Sequence, residues 1–497
     1  MQKALIASII IFLLSFQIIN AQQPQKLNSA QIYNQIQKLN FLGSVLYVAA
    51  HPDDENTRLI TYLSNEVKAR TAYLSLTRGD GGQNLIGSQL RDLLGVIRTQ
   101  ELIEARKMDG GEQIFTRAND FGFSKNPEET IEIWDKEKVL SDIIFAIRKF
   151  QPDVIINRFD HRTSGNTHGH HSASAILSFE SFEKANNPAV FPEQFSLVQP
   201  WQTKRQFFNP SWWFFGSKEK FAAADKSNYL TIETGVYYPS IGKSNQEIAA
   251  LSRSCHQSQG FGSTGVRGEE TEYLEQINGD VLKDKSSIFE GIDTSWNRLK
   301  GGKPIGELLT KIEAEFDFKN PSASIPDLVK AYSMIQALDE NHWKTQKTEE
   351  IKNTIAACAG LYLEAVSQNQ EATPGSIVKL KLEAINRSFA EMQLESITSL
   401  PEQKVTTENI ALEYNSLKNI SIDLQLPSDI EYTQPYWLKE AGTDGMYTVS
   451  NQKNIGIPDV IREVKVIFNT RICGVEIPFE RTVVYKYNDG VKGEMYN

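Results

Sequence analysis

The chain has 497 residues, 40% of them hydrophobic and 23% charged, with a formal net charge of −10. At roughly 100–200 residues per domain this is enough for two to four domains, and the ordinary globular balance excludes a disordered chain, a collagen-like fibre and a polytopic membrane protein. The acidic surplus argues against a nucleic-acid partner, which requires a basic face, and Cys255, Cys358 and Cys473 are too far apart for a disulfide framework or a cysteine-built zinc site.

Lys3 precedes the apolar run Ala4 to Leu14, and Ile19-Asn20-Ala21 ends in a small residue before Gln22. A short basic start, an apolar stretch and a small-residue cleavage site make a secretion signal. The run is short for a bilayer span of about 20 residues. Residues 1–21 are therefore expected to be a signal peptide, with no Cys following it for lipid attachment. The mature protein is expected to be exported, periplasmic or extracellular, with no membrane span.

Ser44 to Ala50 is a continuous apolar run that ends abruptly in polar residues, as a buried parallel strand does. Thr71 to Leu76, ending at Thr77-Arg78-Gly79-Asp80-Gly81-Gly82, is a second such run, and Asp153 to Asn157 a third. Helical patterns lie between them, at Leu90 to Met108 and at Val139 to Phe150, the latter with Val139, Ile143, Ile147 and Phe150 on one face. Strands alternating with helices predict an α/β fold, a Rossmann-like, mostly parallel sheet with helices on both faces. Ligands of such sheets sit beyond the carboxyl ends of the strands. From about residue 296 the pattern becomes helical, with Leu308, Ile312 and Phe316, then Leu328, Tyr332, Ile335 and Leu338. After Thr373-Pro374-Gly375, the residues Val378, Leu380, Leu382 and Ala384 alternate with charged ones, and Val464, Val466 and Phe468 repeat this. That predicts a C-terminal all-β, sandwich-like part.

Immediately after the first predicted strand stands His51-Pro52-Asp53-Asp54-Glu55. A neutral imidazole and a carboxylate suit Zn²⁺ or a similar divalent ion, and of two adjacent carboxylates one can bind the ion while its neighbour stays free to take a proton from water. The second cluster, Gly165-Asn166-Thr167-His168-Gly169-His170-His171, holds three of the chain's seven His within four residues. One helical turn puts His168 and His171 on one face. One His and one Asp from the first loop, with one His from the second, would complete the three protein ligands of a catalytic zinc site.

His51-Pro-Asp-Asp-Glu55 after an apolar strand, with a later His168-x-x-His171, resembles the PIG-L (LmbE-like) zinc-dependent de-N-acetylases over about 40–290. The resemblance implies His51, Asp54 and His171 as zinc ligands and Asp53 as the general base. It also implies His168 as the residue that stabilises the oxyanion and helps protonate the leaving amine, and Arg78 as a substrate contact. The usual His-Pro-Asp-His is replaced here by His168-Gly169-His170-His171, so the third ligand is His170 or His171, and spacing favours His171. The organisation expected is a signal peptide at 1–21, a PIG-L-like deacetylase domain at 22–295, a helical linker region at 296–370 and a β-sandwich-like domain at 371–497.

Asp120, after a predicted strand, is a candidate for a substrate hydroxyl. Ser254 to Gly262 reads either as a pocket loop bringing His256 to the substrate or as an ordinary surface loop, and it resembles a loop found in the larger exported members of the family. Glu55 is expected behind the site as support. Trp212-Trp213-Phe214-Phe215 reads as buried strand or core rather than as a sugar-stacking wall, and Cys255 has no base partner that would make it a nucleophile. The function expected is an exported hydrolase that removes the N-acetyl group from an amino sugar or glycoconjugate, with one Zn²⁺ per chain and Fe²⁺ or Co²⁺ fitting the same ligands. The alternatives are a carbohydrate-binding or adhesion protein that uses the α/β part as a scaffold, or a hydrolase of a non-sugar amide. The C-terminal part is open to a glycan or a protein partner.

Overall fold

Val, Leu and Tyr fill β1 (Ser44–Ala49), and all six of its residues are buried. In the computed structural model, which describes residues 26–162 and 167–496, β1 sits near the centre of a mixed sheet. Beside it, β2 (Arg70–Ser75), β3 (Glu112–Phe115), β4 (Val154–Asn157) and β5 (Arg205–Phe208) run parallel. After β6 (Tyr229–Glu233), β7 (Tyr237–Tyr238) and β8 (Lys243–Ser244) form a separate two-stranded ribbon, and β9 (Thr271–Gly279) returns antiparallel between β5 and β6. The sheet order is β3-β2-β1-β4-β5-β9-β6. The chain thus builds outward from β1 in one direction through β2 and β3, then crosses back to β4 and β5 on the other side. This is a topological switch point, and the loops leaving β1 and β4 part there to form a crevice.

Alternate residues of β1 go to opposite faces. Val45, Tyr47 and Ala49 pack with Leu59, Ile60 and Leu63 of helix Thr57–Asn65 and with Leu102 of helix Asp92–Asp109. Leu46 and Val48 pack with Val139, Ile143 and Ile147 of helix Lys136–Phe150 and with Leu177 of helix Gly169–Lys184. Both faces are covered, which is why the strand reads as an unbroken apolar run.

The stretch 296–370 is more than a helical connector. Its helices Lys303–Ala314, Ile325–Gln336 and His342–Cys358 share one apolar cluster with Ile32, Ile36 and Leu39 of the N-terminal helix Ser29–Leu39, and the stretch also contains β10 (Tyr362–Ser367). Then follow β11 (Ile377–Ile385), β12 (Met392–Leu400), β13 (Lys404–Ala411), β14 (Lys418–Gln425), β15 (Lys465–Ile472), β16 (Val475–Thr482), β17 (Val484–Asp489) and β18 (Gly493–Tyr496). They form a five-stranded sheet, β14-β11-β10-β17-β18, and a four-stranded one, β13-β12-β15-β16. Leu380 and Leu382 from the first and Val466 and Phe468 from the second continue the cluster that the helices begin.

Between β14 and β15 the chain leaves these sheets and crosses to the α/β part. Trp437, Tyr447, Val449 and Ile455 pack there with Phe145 and Val198. Met446 forms a bridge with Ala118, the Tyr447 N–H donates to the Arg117 carbonyl at 2.8 Å, and the Asn119 N–H donates to the Gly445 carbonyl at 2.9 Å. All three cysteines are free. Among the described residues no helix is long and apolar enough to cross a membrane. The expected signal peptide, 1–21, lies outside them.

Ile36 is fully buried where the N-terminal helix meets the helices before β10. Ile36→Ala is expected to cost about 2–5 kcal/mol, read as a lower urea midpoint; an unchanged midpoint would show that this helix adds nothing to the shared core.

Candidate metal and catalytic site

Pairing of β1 with β4 brings Val48 level with Asn157, so the loops that follow them open side by side. The first carries His51 to Glu55. The second leads into helix Gly169–Lys184, whose N-cap is His168. The His51 ring is 5.4 Å from that of His168, 5.1 Å from His170 and 5.3 Å from His171, centroid to centroid.

Two donor sets arise. His51, Asp54 and His171 offer ligand atoms that all lie within 4.8 Å of one another, as do His51, His168 and His170. Asp54 belongs only to the first. Its Oδ2 is 3.1 Å from His51 Nδ1 and its Oδ1 is 3.4 Å from His171 Nε2. His170 stands behind, fully buried, its Nδ1 2.9 Å from His51 Nε2 and 3.6 Å from Asp120 Oδ1. Trp134 stacks on its ring at 4.9 Å.

The ionisation states suit a cation. Burial pushes Asp54 up, but the neighbouring His171 and the hydrogen bonds from His51 outweigh it and hold the carboxyl well below the usual range. Burial takes His171 down to about 3, so it is neutral. Burial also pulls His51 down, but Asp120 and Asp54 overcome this and raise it; a metal ion would take the place of that proton. Two imidazoles and one ionised carboxylate in reach of one point fit a divalent ion.

Asp53 is held apart from this set. Its φ of +87° lies in the left-handed region, which costs a non-glycine residue strain. Three charged groups impose it. Glu55 Oε2 accepts the Asp53 N–H at 2.9 Å, Arg253 donates to the Asp53 carbonyl at 2.6 Å, and Arg98 Nη2 donates to Asp53 Oδ2 at 2.6 Å. Burial pushes the Asp53 carboxyl up to about 6 against the opposing charge of Arg98. Arg98 also donates to the carbonyls of Pro52 and Gly79, tying together the loops after β1 and β2. Gly79 has φ +76°, and a Cβ there would come within 2.4 Å of the Arg98 guanidinium, so no larger residue fits.

His168 Nδ1 accepts the His170 N–H at 3.2 Å, and its Nε2 lies 3.4 Å from the Ser124 N–H. A neutral imidazole accepts at only one nitrogen, so the two bonds belong to alternative tautomers of the His168 ring. Burial and the nearby His51 lower the His168 pKa, which keeps the ring neutral.

Of the expected residues, the structure gathers His51, Asp53, Asp54, His168, His171 and Asp120. Asp120 is buried, with Oδ1 accepting the Gly122 N–H at 2.9 Å. The structure encloses Arg78, expected from the resemblance as a substrate contact, and His256, expected in one reading of its loop to reach the substrate, among other protein groups. The Arg78 guanidinium lies 3.5 Å from the centre of the Trp437 ring and donates to the carbonyls of Ile457 and Pro458, so the crossing segment encloses it. His256 is fully buried and bonds Glu55 Oε1 through Nε2 at 2.7 Å, behind the first loop. Glu55 does support the site, its Oε1 also accepting from Arg106 at 3.2 Å while its Oε2 takes the Asp53 N–H. Trp212–Phe215 is one turn of 3-10 helix rather than buried strand, and its first two residues are each 46% exposed. Sequence reasoning missed Arg98; the glycines at 79 and 82, both of which a Cβ would drive into its guanidinium, were the available signal. It also missed the crossing segment, for which the sequence offers no local sign.

Imidazoles and carboxylates gathered at the switch point of a mostly parallel α/β sheet form a donor set that could hold a divalent ion. Residues 46–179 match the family model described as PIG-L: GlcNAc-PI de-N-acetylase, and this stretch, which spans both loops, is a PIG-L family domain. The class of activity that goes with it is de-N-acetylation. No curated protein matches the chain. Among solved structures it is similar to N,N'-diacetylchitobiose deacetylase from Pyrococcus horikoshii, at 17% identity over 52% of this chain and 79% of that one, with a TM-score of 0.32. It is also similar to the 4-carboxy-2-hydroxymuconate hydratase of Pseudomonas putida, at 16% identity over 49% and 99% with a TM-score of 0.33. A conserved protein of Thermus thermophilus matches at 17% identity over 49% and 98%, with a TM-score of 0.31.

Asp80, in the loop after β2, accepts a hydrogen bond from the Tyr447 hydroxyl of the crossing segment. Burial lifts its pKa from 3.8 to about 7, against the lowering effect of that bond. The folded state therefore binds this proton more tightly than the unfolded chain. The resulting stabilisation is complete below the unfolded value and is lost as pH rises through about 7. Asp80→Asn keeps an acceptor for Tyr447 and removes the titration. Between about pH 5 and 8 the wild-type urea midpoint is expected to fall more steeply than that of the variant; parallel slopes would mean that Asp80 titrates normally.

Proposed function

We propose that this chain is an exported, zinc-dependent hydrolase that removes the N-acetyl group from an amino sugar or glycoconjugate. The observation that carries this reading is the convergence of His51, Asp54 and His171 on one point, with Asp53 and His168 beside them. The family match over 46–179 supports the reaction class, and the apolar stretch before Ala21 supports a location outside the cytoplasm.

A divalent ion held by His51, Asp54 and His171 supplies Lewis acidity toward the amide carbonyl and lowers the pKa of water at the site. Asp53 takes the proton of the attacking water. Arg98 holds Asp53 Oδ2, leaving Oδ1 for that proton, and a carboxyl with a pKa of about 6 can both accept it and give it up near neutrality. His168, as a neutral imidazole, donates its ring proton to the oxyanion that develops on the amide oxygen. The C–N bond then breaks, the amine leaves with the proton from Asp53, and acetate remains.

Purified wild-type protein supplied with zinc is expected to hold about one ion per chain, and His171→Ala to lose it. Asp53→Asn is expected to keep the ion and to lose acetate release from N-acetyl sugars by about 10²-fold or more. Near wild-type turnover in that variant would overturn the base assignment; a wild type that takes up no ion would overturn the reading as a whole. Arg98→Met removes the hold on Asp53 together with the bonds to the Pro52 and Gly79 carbonyls, and is expected to lower kcat while leaving KM and metal content in place, with Arg98→Lys recovering part of the loss. Equal effects on kcat and KM would place Arg98 outside that role.

A further inference from the structure

Two exposed aromatic side chains outside the catalytic set meet His168 and His171, the N-cap and an early residue of helix Gly169–Lys184. Phe123 meets His168 edge-on, with ring centroids 5.3 Å apart, and is 78% exposed. Trp213 meets His171 edge-on at 6.4 Å and is 46% exposed. Their loops follow β3 and β5, which lie on opposite sides of the switch point, so the two rings flank the crevice from its two ends. Exposed apolar residues scattered singly need no explanation, but a pair of large rings bordering one crevice does.

Trp213 is fixed from below. Phe214 packs against it at 5.0 Å, and Phe214 in turn meets buried Phe208 at 5.0 Å and buried Phe159 at 6.2 Å. Phe159 stacks flat on His171 at 3.9 Å. The exposed indole is thus the outer end of an aromatic ladder rooted beside a proposed metal ligand. Rigid aromatic faces beside a polar centre suit a ligand with both apolar and polar surface. A pyranose ring has this character, with C–H groups on its faces and hydroxyls around its edge.

Resting on the deacetylase reading above, we propose that Phe123 and Trp213 are specificity-determining residues. They take sugar rings on either side of the unit whose acetamide enters the crevice, so the substrate class is an oligosaccharide of N-acetylated amino sugars rather than a monosaccharide.

The test uses the zinc-loaded full chain with N-acetylglucosamine and its β-1,4-linked tetrasaccharide. The wild type is expected to favour the tetrasaccharide in kcat/KM. Phe123→Ala and Trp213→Ala are each expected to reduce that preference by about tenfold, and Trp213→Phe to retain most of it. Calorimetric binding of the tetrasaccharide to zinc-loaded Asp53→Asn, with and without the same alanines, reads the grip independently of turnover; about tenfold weaker binding is expected in each case. Metal content confirms that each variant is folded. Acetate release with no length preference, or a preference that the alanines leave intact, would overturn the clamp while the deacetylase reading stands. Tetrasaccharide binding that the alanines weaken, without acetate release from any sugar, would keep the clamp and overturn the deacetylase. Neither binding nor release would overturn both.

Discussion

The parallel pairing of β1 with β4 is the constraint on which the crevice depends. The segments that carry His51 and His171 are separated by more than a hundred residues, and only the register that sets Val48 beside Asn157 makes them neighbours. The intervening chain has to build β2, β3 and four helices before it returns, and those helices cover both faces of the sheet at whose carboxyl edge the loops lie. A slip of one residue in β4 would send its buried side chains to the opposite face. Burial of β4 on both sides therefore fixes the position of the second histidine cluster as firmly as any local bond.

Behind the crevice the molecule keeps an unusual amount of charge out of water. Glu55 lies between His256 and Arg106, and Arg106 also pairs with Asp109, all four of them buried. Such groups contribute little net stability, because desolvation offsets much of the attraction. Their value is geometric. Glu55 and Arg253 hold the backbone of Asp53 from two sides while Arg98 holds its side chain, and together they maintain a left-handed conformation that costs about 1–3 kcal/mol at a non-glycine residue. A carboxylate positioned by three independent partners has lost its rotational freedom before any substrate arrives.

Much of this was legible in the sequence. The strands β1, β2 and β4 announced themselves as short apolar runs because both sheet faces are covered, and β11 through its alternation because one face is wet. The two histidine clusters were legible because the first follows such a run directly and the second follows one across a short loop. Other features left no local trace. Four consecutive apolar residues at Trp212 to Phe215 carry no period, so a surface turn and a core strand look alike there. An arginine in helix Asp92–Asp109 resembles any solvated helix residue, although Arg98 and Arg106 are both buried. The environment of Arg78 is set by residues some 360 to 380 positions away, a distance over which no spacing rule operates.

The enclosure of Arg78 also bears on how the polypeptide can be divided. Its guanidinium lies against Phe115 on the α/β side and Trp437 on the other, and its hydrogen bonds reach Thr99, Tyr436, Ile457 and Pro458. A recombinant fragment ending after β9 would retain both loops of the crevice. It would also present a bare aromatic seat, a cation stripped of most of its partners and a carboxyl at Asp80 without its hydroxyl donor. Such a surface favours self-association over solubility. The minimal unit for expression is therefore the whole length through the β-rich sheets, and the boundary drawn by the family match does not coincide with the boundary at which the protein can be cut.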